Sequence, residues 1–128
     1  MKHFKLIITL LLMISMSAIF VGCGSSEAKT YTFDPGDAFI TGVAGSKCLM
    51  KTDITIELNS KTGLEYLTAN SYKVRDIIIN ILRNQTLEDI QATDGQSKIK
   101  LKILAALKKN LSVSGVDNIY FNEFVVQQ

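Results

Sequence analysis

The stretch Cys48 to Leu58, CLMKTDITIEL, constrains the fold of this 128-residue chain more than any other part of it. Ile54, Ile56 and Leu58 alternate there with Asp53, Thr55 and Glu57. Side chains on a strand point to opposite faces in turn, so this period-2 pattern calls for a sheet with one dry and one wet face. The closing stretch VDNIYFNEFVVQQ, residues 116 to 128, is its natural partner, being dense in β-branched and aromatic residues. Its apolar positions do not keep one phase, however. Ile119 and Phe121 share one parity, and Phe124 and Val126 share the other. A regular strand cannot hold all four on one face. The phase must slip at Asn122-Glu123, which predicts a β-bulge or a sheet buried on both faces at that point.

Between these strands the sequence is punctuated by turns and helical periodicity. Thr30 to Phe33 reads as an extended segment, and Ala38 to Val43 as a short strand. They are separated by Asp34-Pro35-Gly36-Asp37, where Pro35 presets φ and Gly36 accepts the positive φ of a type II turn. Ser60 or Thr62 caps a helix predicted from Leu64 to about Arg83, with Val74, Ile77, Ile78, Ile81 and Leu82 in one stripe. Tyr72 and Ile79 fall outside that stripe, and two explanations fit them: a second layer of core or a self-association surface. Thr86 followed by Glu88 and Asp89 resembles a capping box and starts a short helical turn that ends before Asp94-Gly95. A last helix is predicted from Gln96 to about Asn110, its core stripe formed by Ile99, Ile103, Ala106, Leu107 and Leu111. Its charges are all basic: Lys98, Lys100, Lys102, Lys108 and Lys109. A solvated face and a contact with acidic lipid or an acidic partner both fit this pattern. The order of elements predicts an α+β fold, with helices packed on a small, mainly antiparallel sheet.

The first 26 residues form a unit apart from residues 27–128. After the basic start of Lys2 and Lys5, an uncharged apolar run of 16 residues extends from Leu6 to Val21. Leu6, Ile7, Ile8, Leu10, Leu11, Leu12, Ile14, Ile19, Phe20 and Val21 are its candidate membrane-anchor residues. With basic residues before the run and Glu27 as the first charge after it, the start of the chain is expected on the cytoplasmic side and the domain outside. Two fates fit the end of the run: an uncleaved single span, or cleavage before Cys23 and lipidation of that cysteine within FVGCGSS. Either one tethers the domain through the small polar stretch from Gly24 to Lys29.

Charge and residue chemistry exclude several functions. Removing Lys2 and Lys5 from the 14 basic residues leaves 12, matched by 12 acidic ones, so the domain has no basic surplus for nucleic acid. The single histidine is His3, at the start of the chain, so neither a Ser-His-Asp nor a Cys-His constellation can form in the domain. With two cysteines in all, no paired-ligand metal spacing exists, and Cys48 reads as a small apolar strand residue. The acid pairs Asp34/Asp37 and Glu88/Asp89 sit at turn and cap positions, where structural roles account for them. An enzyme is not expected.

The ending NIYFNEFVVQQ resembles that of the flagellar basal-body-associated protein FliL family. The resemblance extends upstream through YKVRDIIINILRNQTLEDIQATDGQSKIKLKILAALKKNL, similar to the family's helical section, and GDAFITGVAGSKCLMKTDITIEL, similar to its first strands. It covers roughly Phe33 to Gln128. It implies a stomatin-type (SPFH-like) domain on a single-span protein of the bacterial inner membrane, without cofactor or catalytic site. It also implies assembly into a homo-oligomeric ring around flagellar stator units of the basal body, in support of torque and motility. A lipid-anchored extracytoplasmic binding module is the alternative that FVGCGSS suggests.

Overall fold

A computed structural model describes His3 and residues 29–128. The candidate anchor residues from Leu6 to Val21, and Cys23, lie outside the described residues. Among the described residues, no helix is long and apolar enough to cross a membrane.

The domain is one antiparallel sheet with four helices on one of its faces. Strand β3 (Leu49–Leu58) is the spine, and β4 (Val116–Gln127) pairs antiparallel along its whole length. The opposite edge of β3 is shared by β1 (Tyr31–Phe33) and β2 (Phe39–Gly42), which pair with its second and first halves respectively. The predicted alternation holds without exception: Met50, Thr52, Ile54, Ile56 and Leu58 are buried, and the residues between them are half-buried or more open.

The register shows how β4 keeps its apolar residues on the dry face. Asp53 faces Glu123 but Ile54 faces Phe121, so Asn122 is an extra residue without an opposite number. This is the bulge predicted at Asn122-Glu123. A second slip, not foreseen, occurs where Glu57 faces Asn118 and Leu58 faces Val116, leaving Asp117 over. Each bulge flips the side-chain phase once. Val116, Ile119, Phe121, Phe124 and Val126 consequently lie opposite Leu58, Ile56, Ile54, Thr52 and Met50. The two extra residues point to the wet side and bond there: Asn122 Nδ2 donates to Thr55 Oγ1 at 2.9 Å, and Asp117 Oδ1 accepts from Asn59 Nδ2 at 3.0 Å.

Four helices cover the dry face: α1 (Lys61–Ala69), α2 (Ser71–Leu82), α3 (Leu87–Gln91) and α4 (Gly95–Leu111). Leu67 of α1, Val74, Ile78 and Leu82 of α2, and Ile99, Ile103, Leu107 and Leu111 of α4 are buried against the strands. At about 25 cal/mol per Å² of apolar area removed from water, this shared core is the main stabilising term. One sequence expectation needs correction. The helix predicted from Leu64 to Arg83 is two helices, broken at Asn70, whose φ of −115° and ψ of 25° leave the helical region. The Asn70 backbone N–H reaches the Tyr66 and Leu67 carbonyls, and its side chain donates to the Tyr66 carbonyl at 2.9 Å. A short polar side chain competing for the backbone in this way ends a helix. Ser60, not Thr62, supplies the cap, accepting from the Gly63 N–H at 3.1 Å.

The turn from Asp34 to Ala38 separates β1 from β2 and is fixed by one side chain. Gly36 has φ +98°, as the type II reading requires, and its N–H donates to Asp34 Oδ1 at 2.8 Å. Arg75 of α2 reaches across and donates to the carbonyls of Pro35 and Asp37, both at 2.9 Å, while its guanidinium lies 4.4 Å from the centre of the Phe39 ring. Both bonds leave one guanidinium nitrogen, Nη1, while the planar group lies against the ring, a preorganised stacking that a lysine ammonium does not reproduce.

Two stability outcomes are expected. Arg75→Lys should lose about 2 kcal/mol, because a lysine has no planar face to stack on Phe39 and its flexible ammonium is not held in place over both carbonyls; unchanged urea unfolding would contradict the clamp. Thr52 is fully buried between Phe39 and Phe124, and its hydroxyl finds no partner. Thr52→Val should therefore raise the unfolding midpoint, by about 1 kcal/mol in stability, and a fall would show that the hydroxyl is satisfied after all.

Candidate interaction surfaces

Tyr72 and Ile79 stand seven residues apart on α2 and so share a helix face. Their surroundings differ. Tyr72 is 66% exposed at the start of the helix, whereas Ile79 is half-buried and packs against the core. Tyr72 also lines a groove of 370 Å³ with Lys73, Asp76 and Ile77 of α2 and Asn110 and Leu111 of α4.

The five lysines of α4 do not form one open face. Lys98 pairs with Asp94 at 3.0 Å, and Lys102 Nζ donates to Gln85 Oε1 at 2.9 Å. Gln85 is buried and donates in turn to the Ile81 carbonyl at 2.6 Å, so Lys102 ties α4 to the end of α2. Lys100 lies 5.9 Å from the centre of the Tyr120 ring and 5.6 Å from that of Phe121, on β4. Lys108 and Lys109, in the last turn, are exposed. Their charge suits the negative end of the α4 dipole.

Lys98, Lys102 and Gln85 also line a cleft of 170 Å³ with Glu88 and Asp89 of α3. The expected capping box is present: Thr86 Oγ1 accepts from the Asp89 N–H at 3.1 Å, and Asp89 Oδ2 accepts from the Thr86 N–H at 3.0 Å. The Thr86 backbone N–H first, and its hydroxyl second, hold the Asp89 carboxyl below its ordinary value of 3.8. A depressed carboxylate pKa supports the fold above that value and loses its contribution as the pH falls through the lowered one. Lys102 and Lys98 add to the same effect. This cleft is accounted for by capping and helix pairing. Among the described residues, no group of three or more His, Cys, Asp or Glu is placed to hold a metal ion.

One surface escaped sequence reasoning. The sheet's outer face carries no helix, and at the end where β3 begins it exposes Ile40, Leu49 and Val125, at 67%, 54% and 38%. Ile40, Lys51 and Val125 form one row across three strands, and Lys51 Nζ pairs with Glu123 at 2.9 Å. The available signal was phase: Leu49 is apolar on the side of β3 that alternation assigns to water. Cys48 is a buried thiol, the small apolar residue its context suggested, but it stands just before this strand and not on it.

The model of the family described as flagellar basal body-associated protein FliL matches residues 32–127. A flagellar protein FliL from Aquifex aeolicus (strain VF5) is 32% identical over 99 residues, which are 76% of this chain and 60% of that protein. The chain thus spans about three-fifths of that relative's length. The match runs from the second residue of β1, Thr32, to the end of β4 and so takes in all four described helices. The chain belongs to the FliL family of flagellar basal body-associated proteins.

Proposed function

We propose that this protein is a non-enzymatic accessory of the flagellar motor, held at the bacterial cytoplasmic membrane by its first 26 residues with the domain outside the cytoplasm. It self-associates around stator units and supports torque and motility. The observation that carries this reading is the family match across residues 32–127, the whole folded domain. The apolar run from Leu6 to Val21 supports the anchor, and the single histidine at position 3 leaves the domain without the usual acid–base set. The likeness to stomatin-type (SPFH-like) domains belongs to the same reading. Self-association is assigned to Tyr72 with Ile79 at its margin, and to the outer sheet face around Ile40, Leu49 and Val125. Exposed apolar groups of this kind are where a soluble surface gains most by being covered.

FVGCGSS favours a second reading, a lipid-anchored binding module with Cys23 as the modified residue. Mass spectrometry of the mature protein separates the anchors, since a diacylated Cys23 supports the lipoprotein and an intact Met1 the single span.

The motor reading is tested by deleting the gene and measuring swimming in viscous medium. Speed under load should fall and return on complementation, while flagella are still made. Unchanged motility under every load would sink it. On the complemented strain, Tyr72→Ala should weaken self-association in cross-linking without lowering the amount of folded protein, because Tyr72 makes little use of the core.

A further inference from the structure

We infer that self-association runs head to tail: the outer sheet face of one copy receives the solvent side of α4 of the next, with Leu101 on the Ile40–Leu49–Val125 patch and Lys108 at Asp53. The inference rests on the self-association reading above and names the two faces that meet.

The outer sheet face is not complementary to itself. The register fixes its members: Thr32 of β1, Ile40 and Gly42 of β2, the odd-numbered positions of β3 and the residues opposite them on β4. Lys51 is the one basic residue among them, and Glu123 already holds it at 2.9 Å. The other acids are Asp53 and Glu57, with Asp117 from the bulge. Among the described residues, none of these three pairs with a lysine or arginine. Their neighbours are neutral donors: the Tyr120 hydroxyl donates to Glu57 at 3.0 Å, Asn59 Nδ2 donates to Asp117 at 3.0 Å, and Asn122 Nδ2 stands 3.5 Å from Asp53. Such donors leave the negative charge of the face uncancelled. A twofold interface would set this surface against its own copy. Acid would then meet acid with no spare cation between them, and like charges facing each other are costly. The complement must be basic, with an exposed apolar centre.

The solvent side of α4 has that composition. From Gln96 to Gly115 the chain contains no acid. Leu101 is 65% exposed, and among the large aliphatic side chains of the four helices it alone is exposed. Ala105 and Lys108 follow it by four and seven residues, so helical spacing puts them on the same side, and both are exposed. Lys98 and Lys102 are engaged by Asp94 and Gln85, and Lys100 covers the rings of β4. Among the described residues, no carboxylate pairs with Lys108. Tyr72 lines a groove with Asn110 and Leu111 at the end of α4, which places it at the margin of this helix-side surface.

Spacing sets the register of the contact. Leu49 to Asp53 is four residues of strand, about 13 Å. Leu101 to Lys108 is seven residues of helix, about 11 Å. With α4 laid along β3 and its last turn toward Leu58, Leu101 meets the apolar patch as Lys108 comes within side-chain reach of Asp53. Turning the helix round sends Lys108 beyond Leu49, where the face carries no acid. The helices cover only the dry face of the sheet, so the two surfaces lie on opposite sides of the domain and one copy can use both at once. Repetition of such a contact gives a ring where the rotation closes and an open chain where it does not.

Two charge reversals test which faces meet. Sedimentation velocity of the full chain in an uncharged detergent reads assembly without a label. Asp53→Lys and Lys108→Glu should each raise the concentration at half-assembly by about tenfold or more, because every junction then opposes like charges. An equal mixture of the two variants should restore assembly, since each altered face then meets the other altered face and each unaltered face an unaltered one. Leu101→Ala, at an exposed position, should weaken assembly by about fivefold. Unchanged circular dichroism of each variant sets misfolding aside. If both reversals weaken assembly and the mixture stays apart, the two faces do not meet and the inference is overturned. If Lys108→Glu leaves assembly intact, α4 faces lipid, solvent or another protein, which overturns it equally. An unaltered chain that stays monomeric at every concentration contradicts the self-association reading itself, whereas one that assembles regardless of both reversals contradicts only the pairing of these faces.

Discussion

The ladder between β3 and β4 is the interaction on which the rest of the domain depends. It joins residues 49–58 to residues 116–127, so all four described helices lie in the loop that it closes. The helices α1, α2 and α4 each carry a single apolar stripe, and only the sheet's dry face gives those stripes something to meet. That face is continuous because two bulges re-phase β4. Without the skipped residues Asn122 and Asp117, either the Ile119–Phe121 half or the Phe124–Val126 half would turn into water. As it is, the Phe121 and Phe124 rings sit 5.0 Å apart, tilted at 52°, on either side of the slip. Bulges also bend and twist an edge strand, which makes it a poor template for another chain. Lys100, poised over Tyr120 and Phe121 on that strand, works in the same direction.

Much of this was legible in the residues. Alternation located β3, the parity change located the bulge at Asn122, and Asp34-Pro35-Gly36-Asp37 announced its own turn. What stayed hidden has identifiable causes. The break at Asn70 is invisible to periodicity because Leu67 and Val74 are seven residues apart, two turns, so the stripe passes through it in phase. The Asp117 bulge lies among polar residues, where a phase slip leaves no apolar trace. The reach of Arg75 to carbonyls some forty positions earlier is a tertiary contact that no local pattern encodes.

The surfaces were read less completely than the fold. Counting lysines on α4 suggested one basic face, but charge on a helix says nothing about partners on neighbouring elements. Asp94, Gln85 and two aromatic rings occupy three of the five, and the remaining pair, Lys108 and Lys109, stands exposed in the last turn. Tyr72 and Ile79 share a face in the sequence, yet neighbouring elements partly cover Ile79 alone. Ile40 and Val125 belong to strands far apart in the chain, and only the register sets them in one row with Lys51.

Together these features describe a small domain with an outer sheet face open to contact, on a chain of the FliL family. The proposed place of this chain is in the flagellar motor, beside the stator units. Averaged electron tomograms of motors in intact cells test that claim most directly. Cells with the gene should show density next to the stator units on the outer side of the cytoplasmic membrane, absent on deletion and restored by complementation. Identical averages from the two strains, with the tagged protein distributed away from flagellar bases, would contradict it.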